Sequence, residues 1–379
     1  MQRTYKYRLY PNKEQESKFN QALAICRSLY NNALSERRSY YEKNKKNLSA
    51  FTQIISLPER KRQESYLAQV HSQVLQDVFL RLDKAYALFF VRLKEENGKA
   101  GYPRYKAANR YHSFTYPQYG GFKLMEQALR LSKIGMVKIK LHRPLEGKPK
   151  TCTIKKEIDR WYACISCEVQ PVKESVPQKV VGIDVGLENF ATLSNEEEIA
   201  NPRCLRLSER KLAKVQRRLS KRQKGSRNRK RQAIKVAKIH RKIKDQRSDF
   251  LHKLSRNIVD RFSFIAIEDL AILNMLKNHH LAKSIADASW GQFIAYLSYK
   301  AAEAGRGVVK VDPKGTSQLC SKCGSIVKKS LSMRVHRCPH CGLVLPRDHN
   351  SAIAILQRAV GREPPEFTPL ETAVGQSSN

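Results

Sequence analysis

Four of the nine cysteines form two pairs, Cys320-x2-Cys323 and Cys338-x2-Cys341, separated by 14 residues. Each pair can present two thiolates from one tight turn, with Gly324 and Gly342 supplying positive φ after the second cysteine. Four sulfurs complete a tetrahedral site for one Zn²⁺, and because that site is closed its metal is structural, not catalytic. His336 and His340 lie inside the same module, where four thiolates make them unnecessary as ligands. Cys164-x2-Cys167 has the same spacing but no second pair nearby, so it reads as strand cysteines packed in a core.

Three acids suggest a different chemistry. Asp184 interrupts the apolar run Val180–Val185, where a carboxylate is costly unless something offsets it. Glu268 ends a second apolar run, Phe264-Ile265-Ala266-Ile267, and Asp348 stands where a final helix begins. Each alone has a structural explanation: a turn residue, an exposed strand end, a helix cap. Together, in a chain this basic, they can converge to hold two Mg²⁺ ions that clamp the attacking and leaving oxygens of a phosphodiester. Magnesium takes a few hard oxygen ligands and keeps waters, so three carboxylates suffice. Asp269 should face away from Glu268 on the strand, and Asp312 could approach the cluster from a neighbouring strand; both rank below the main three.

The elements that must position these groups belong to a chain of 379 residues with 72 Lys and Arg against 34 Asp and Glu, a net charge of +38. That length allows two or three domains with real cores. Such a charge calls for a polyanion, and nucleic acid is the partner that neutralises it best. No apolar run is long enough to span a bilayer and no secretory signal opens the sequence, which argues against a membrane protein or a secreted disulfide scaffold. The basic residues are concentrated: from Arg203 to Arg247 there are 20 Lys and Arg against two acids. Leu212, Val215 and Leu219 mark one helical face there, and Val236, Ile239 and Ile243 another after Gly225. This reads as a basic helical hairpin that contacts phosphates through Arg217, Arg218, Lys221, Arg222, Arg229, Lys230 and Arg231.

Upstream, residues 3–9 alternate as a strand, residues 13–41 read as an amphipathic helix, and a second helical stretch runs from about Glu64 to Glu96, closed by Asn97-Gly98. Short alternating segments at Val137–Leu141, Cys152–Ile154 and Trp161–Val169 predict a small antiparallel sheet that the first strand joins. Residues 171–179 read as a linker. Strands follow at Val180–Val185, Phe190–Leu193, Phe264–Glu268 and Val308–Val311, with helices at Trp290–Ala304 and Ser351–Val360 and a disordered tail beyond residue 360.

The phrases Val181-Gly182-Ile183-Asp184-Val185-Gly186-Leu187, Ile265-Ala266-Ile267-Glu268-Asp269-Leu270, Thr316-Ser317-Gln318-Leu319-Cys320-Ser321-Lys322-Cys323-Gly324 and Arg347-Asp348-His349-Asn350-Ser351-Ala352 resemble TnpB, the compact transposon-associated RNA-guided DNA endonucleases related to type V CRISPR effectors. Arg8-Leu9-Tyr10-Pro11, Gly101-Tyr102-Pro103-Arg104 and the stretch from Ser284 to Gly291 also fit, so the resemblance extends to about residue 360. It implies an α/β architecture with an RNase H-like, RuvC nuclease domain at residues 180–312 and 345–360, a zinc ribbon inserted at 313–344, and a wedge-like β domain at 1–12 and 101–179 carrying a helical recognition lobe at 13–100. It implies Asp184, Glu268 and Asp348 as catalytic residues and magnesium ligands, the four cysteines as zinc ligands, and guide RNA and double-stranded DNA as partners in a prokaryotic cytoplasm. Guide pairing would read most of the target, and the protein a short motif beside it. Where the family often has an acid two residues before the third aspartate, this chain has Pro346. Gln76 stands where a relative uses glutamine near the target-adjacent motif, and glutamine can read adenine; Ser72, one turn earlier, replaces an expected lysine. A nuclease-inactive RNA-guided repressor and a guide-independent accessory transposition protein are the rival readings.

Overall fold

A computed structural model describes residues 2–95, 100–170, 179–330 and 333–361. The predicted helix stop at Asn97-Gly98, nearly all of the linker and the C-terminal tail lie outside the described residues. The chain divides into two compact units, Met1–Gln170 and Pro171–Asn379.

The first unit opens with β1 (Gln2–Tyr10), whose alternation buries Tyr5, Tyr7 and Leu9. Asn12 then starts α1 (Lys13–Asn44): its side chain accepts from the Gln15 backbone N–H while Gln15 reaches back to the Asn12 backbone. Phe19, Leu23, Cys26, Tyr30 and Leu34 form the buried stripe of this helix. Two short helices, α2 (Ala50–Ile55) and α3 (Leu57–Gln63), precede α4 (Ser72–Lys94). The second helical stretch is therefore shorter than its periodicity implies. Leu67 and Val70 are buried, but Ser65–Gln69 is a 3₁₀ turn and Val70 is extended, which ends one helical segment before the next begins at Ser72.

The remaining strands of this unit are β2 (Ser113–Tyr116), β3 (Phe122–Leu124), β4 (Ala128–Leu131), β5 (Gly135–Lys140), β6 (Lys148–Glu157) and β7 (Arg160–Glu168). They form a seven-stranded antiparallel sheet in the order β2-β6-β7-β1-β5-β4-β3, so the N-terminal strand lies inside the sheet. Helices and sheet share one core, in which Phe19 packs against Phe114 and Trp161. Cys164 and Cys167 point to opposite faces of β7, and burial raises both thiols.

The second unit is built on β8 (Val180–Val185), β9 (Asn189–Leu193), β10 (Glu198–Ala200), β11 (Phe264–Glu268) and β12 (Gly307–Val311). The sheet order is β10-β9-β8-β11-β12; the first three strands are antiparallel, while β11 runs parallel to both β8 and β12. Between β10 and β11 lie α5 (Cys204–Ser220) and α6 (Arg227–Arg261), and after β11 come α7 (Ile272–Met275), α8 (Ala282–Ala288) and α9 (Trp290–Glu303). A two-stranded ladder, β13 (Val335–Arg337) with β14 (Val344–Pro346), leads directly into α10 (Arg347–Val360). This last helix starts four residues earlier than predicted, so Asp348 occupies its first turn and Pro346, not Asp348, stands at the N-cap. Among the described residues no helix is long and apolar enough to cross a membrane.

Candidate functional site

The register of the parallel pair places two acids side by side. Ile183 on β8 is level with Ile267 on β11, so the next residues, Asp184 and Glu268, lie at the same strand ends. The third acid arrives on α10. Gly182 lets this helix lie against β8, because a Cβ there would stand 2.1 Å from the Ala352 carbonyl oxygen and 2.9 Å from the Leu356 Cβ. Ala352 is one turn beyond Asp348, and Asp184 feels the charges of both Glu268 and Asp348.

Burial raises the Asp184 carboxyl well above the ordinary value of 3.8; its two acidic neighbours push it further, and Arg347 opposes them. Glu268 is 8% exposed and is also raised by burial, with the Thr316 hydroxyl, 2.5 Å from its Oε1, and the Arg358 charge acting the other way. Arg347 directs both Nε and Nη2 to Oδ1 of Asp348, each at 2.9 Å. The cluster is thus a set of hard oxygen donors whose repulsion a divalent cation would relieve, and the residues fit magnesium in kind. The carboxylates are less tightly gathered than the thiols: among the described residues, only the four cysteines bring all their ligand atoms within 4.8 Å of one another.

The lower-ranked acids are occupied elsewhere. Asp269 is exposed and 3.3 Å from the Lys310 amine. Asp312 is exposed, and its carboxylate accepts from the Lys314 backbone N–H in a turn. Gln76 is half-buried on α4, while the Ser72 hydroxyl, at the start of that helix, accepts from Lys61 at 2.6 Å.

In the cysteine module each pair closes on itself. Gly324 N–H donates to the Cys320 carbonyl at 2.9 Å and Gly342 N–H to the Cys338 carbonyl at 3.0 Å, with φ of 74° and 71° at the two glycines. Cys320 Sγ is 3.6 Å from Cys341 Sγ, and Cys323 Sγ is 3.6 Å from Cys338 Sγ. A tetrahedral site with Zn–S bonds of about 2.3 Å needs sulfurs about 3.8 Å apart, so the four thiols fit zinc closely. Ser325 hydrogen-bonds to the Cys323 thiol and draws it down to about 6, which favours the thiolate a metal needs. His336 is buried with Nδ1 against the Lys329 amine, and His340 is exposed.

Sequence reasoning missed the bonds that join this module to the acids. Asn350 is fully buried; its Oδ1 accepts from the Ser321 N–H at 3.0 Å and its Nδ2 donates to the Leu319 carbonyl at 2.7 Å. Gln357 donates to the Ser321 carbonyl at 2.8 Å, and Arg358 to the carbonyls of Asp312 and Lys314. Asn350 stands two positions after Asp348 in the polar run that opens α10, and nothing in the sequence sets it apart there.

Most of the basic hairpin is exposed, including Arg217, Arg218, Lys221, Arg222, Lys230 and Arg231. Arg229 differs: its Nη1 donates to the Leu219 and Arg222 carbonyls, both at 2.9 Å, and clamps the turn between α5 and α6.

Comparison with known proteins places this geometry in a family. Residues 164–279 match the IS605 OrfB family, described as "Probable transposase", residues 290–355 the Cas12f1-like TNB domain, and residues 1–46 a helix-turn-helix domain of IS605 OrfB. A Streptomyces pristinaespiralis protein named "Putative RNA-guided DNA endonuclease" is 36% identical over 364 residues, covering 94% of this chain and 89% of the relative. The chain belongs to the TnpB family. InsQ of Escherichia coli K12, which carries the same descriptive name, is 31% identical over 375 residues, covering 93% of this chain and 91% of its own length. The Cas12f1 chain of a Cas12f1–sgRNA–target DNA complex shares the α/β fold, with a TM-score of 0.58 at 15% identity, over 94% of this chain and 98% of that one. Within the helix-turn-helix match, this TnpB-family chain has one strand and one continuous 32-residue helix.

Proposed function

We propose that this chain is an RNA-guided DNA endonuclease that hydrolyses phosphodiester bonds with two magnesium ions. Its guide RNA would come from the transposon end, and it would read a short motif beside the target. The observation that carries this reading is the meeting of Asp184, Glu268 and Asp348, from three elements, at one strand end of a mixed sheet in the order β10-β9-β8-β11-β12. That order is the one expected of an RNase H-like, RuvC nuclease domain. The names of the relatives point the same way.

In this reading Asp184, Glu268 and Asp348 hold the ions, and bound magnesium supplies stabilisation of the charge that develops as water attacks phosphorus and the 3′ oxygen leaves. Thr316 orients Glu268 through its hydroxyl. Arg347 keeps a positive charge beside Asp348. The exposed bases of α5 and α6 bind phosphates of RNA or heteroduplex, and zinc in the four-cysteine site fixes the module that carries Thr316. The test uses the protein purified with its own RNA, a matching duplex and Mg²⁺. Asp184→Ala should retain target binding and lose cleavage by about 10²–10³-fold or more, the scale of removing one preorganised electrostatic group. Equal cleavage by the variant, or binding without cleavage by the wild type, would overturn the reading.

A further inference from the structure

The first unit contains a cavity of about 510 Å³ unrelated to the acids and cysteines. Arg37 and Tyr41 of α1, Asn47 after it, Tyr86 and Phe90 of α4, and Tyr102 line it. Tyr41, Phe90 and Tyr102 are 49%, 46% and 41% exposed, so large aromatic surfaces face solvent. Tyr86 and Tyr102 meet edge-to-face, with centroids 5.5 Å apart and hydroxyls 3.1 Å apart.

The telling group is Arg37, which is 7% exposed. Its Nε donates to Gln53 Oε1 at 2.9 Å and its Nη1 to Asp83 Oδ1 at 3.0 Å. Its Nη2 is buried and has no partner. A buried guanidinium N–H without an acceptor has lost its water and gained nothing in return, so a ligand that brings an acceptor gains from it. Asp83 already balances the Arg37 charge. With both Arg37 and Asp83 in its lining, the cavity therefore suits a neutral acceptor better than a carboxylate or phosphate. An apolar side chain would cover the aromatic rings and leave Nη2 unpaired. A flat heterocycle with a carbonyl or ring nitrogen satisfies both. Between the lining residues Tyr41 and Asn47 in sequence, Lys43, Lys45 and Lys46 are exposed, and the Arg38 guanidinium lies 4.9 Å from the ring centres of both Tyr102 and Tyr105. These are the groups that hold a phosphate backbone beside a stacked base.

We infer that this cavity takes one unstacked nucleobase of a bound nucleic-acid strand. The base lies against Tyr86, Phe90 and Tyr102 and accepts from Arg37 Nη2. This inference rests on the reading of the chain as a nucleic-acid-binding protein. It is tested on the full chain with two probes, a 20-nucleotide single-stranded RNA and a DNA of the same sequence, so the arms tell the source of the base. Ultraviolet crosslinking and peptide mapping should place a crosslink at Tyr86, Phe90 or Tyr102 with at least one probe. Phe90→Ala and Tyr102→Ala, both at half-exposed positions that tolerate truncation, should each weaken that probe about 5- to 100-fold, the range for one stacked base. Arg37→Gln should weaken it without moving the crosslink. Crosslinks confined to other segments, with both aromatic variants binding like wild type, would overturn the inference and leave the nuclease reading intact. Sedimentation showing a dimer that Phe90→Ala dissolves would assign the cavity to a second copy and overturn it too. Wild-type protein that binds neither probe would overturn both readings.

Discussion

The two candidate metal sites of the second unit are built on opposite plans. The cysteines lie within residues 320–341, and each pair is closed by its own backbone hydrogen bonds. The acids come from positions 184, 268 and 348 and meet only after β8, β11 and α10 have packed. The thiols lie near one another, and Ser325 helps one of them ionise. At Asp184 burial and like charge raise the carboxyl, and Arg347 with a hydrogen bond from the Val185 backbone only partly offsets them. A local site can organise around its ion; a site assembled by tertiary packing must be held by the fold, against a cost that the ion later offsets.

Removing zinc should break this contrast most severely. Structural zinc contributes on the order of 10 kcal/mol to small modules. Chelation, or Cys338→Ser, should expose residues 313–344 to limited proteolysis while β8 and β11 keep their amide protection. Cleavage activity should fall with it, because Thr316 and the Asn350 contacts belong to that segment. Retained activity with a proteolysed module would show the two sites to be independent.

A smaller effect should follow from the packing that brings the acids together. Gly182→Ala places a Cβ against the Ala352 carbonyl and forces α10 away from β8. We expect a loss of about 3 kcal/mol, at the upper end of overpacking costs, read from the urea midpoint. A change below about 0.5 kcal/mol, the scatter of neutral surface substitutions, would mean α10 is free to shift.

The smallest effect concerns charge. The folded chain raises the Asp184 carboxyl, so its contribution to stability is fully present below pH about 4, where the group is protonated folded and unfolded alike, and is lost as pH rises through the folded value. Asp184→Asn should therefore be more stable than wild type without metal at neutral pH, by about 0.5–2 kcal/mol, the usual gain from relieving a strained functional site. The gap should close near pH 4 and shrink when Mg²⁺ is added to the wild type. Thermal melts from pH 4 to 8 measure it, and a pH-independent gap would mean that the Asp184 charge is not the cause.

The same contrast explains what was legible in the sequence. The zinc module could be read from spacing alone, because its geometry is set by turns of a few residues. The strands carrying Asp184 and Glu268 announced themselves as apolar runs broken by an acid. Less visible were β2, β3 and β4, each of three or four residues and too short to display alternation. The break before α4 was hidden because Leu67 and Val70 are buried in their 3₁₀ and extended segments just as helical spacing would bury them. Arg229 looked like its basic neighbours; only the folded turn shows its guanidinium engaged with two carbonyls. Side-chain bonds to distant backbone, such as those of Asn350, leave no periodic trace.

One helix ties these features into a single lever. α10 bears an acid and, from Asn350, hydrogen bonds to a cysteine knuckle in its first turn, a further bond to that knuckle from Gln357 in its third, and a guanidinium bracing the loop before Thr316 near its end. A disturbance anywhere along this rod would reach Asp348 at its tip. Loss-of-function substitutions should accordingly cluster along its length and present as activity defects in a protein that keeps Asp184, Glu268 and Asp348 intact.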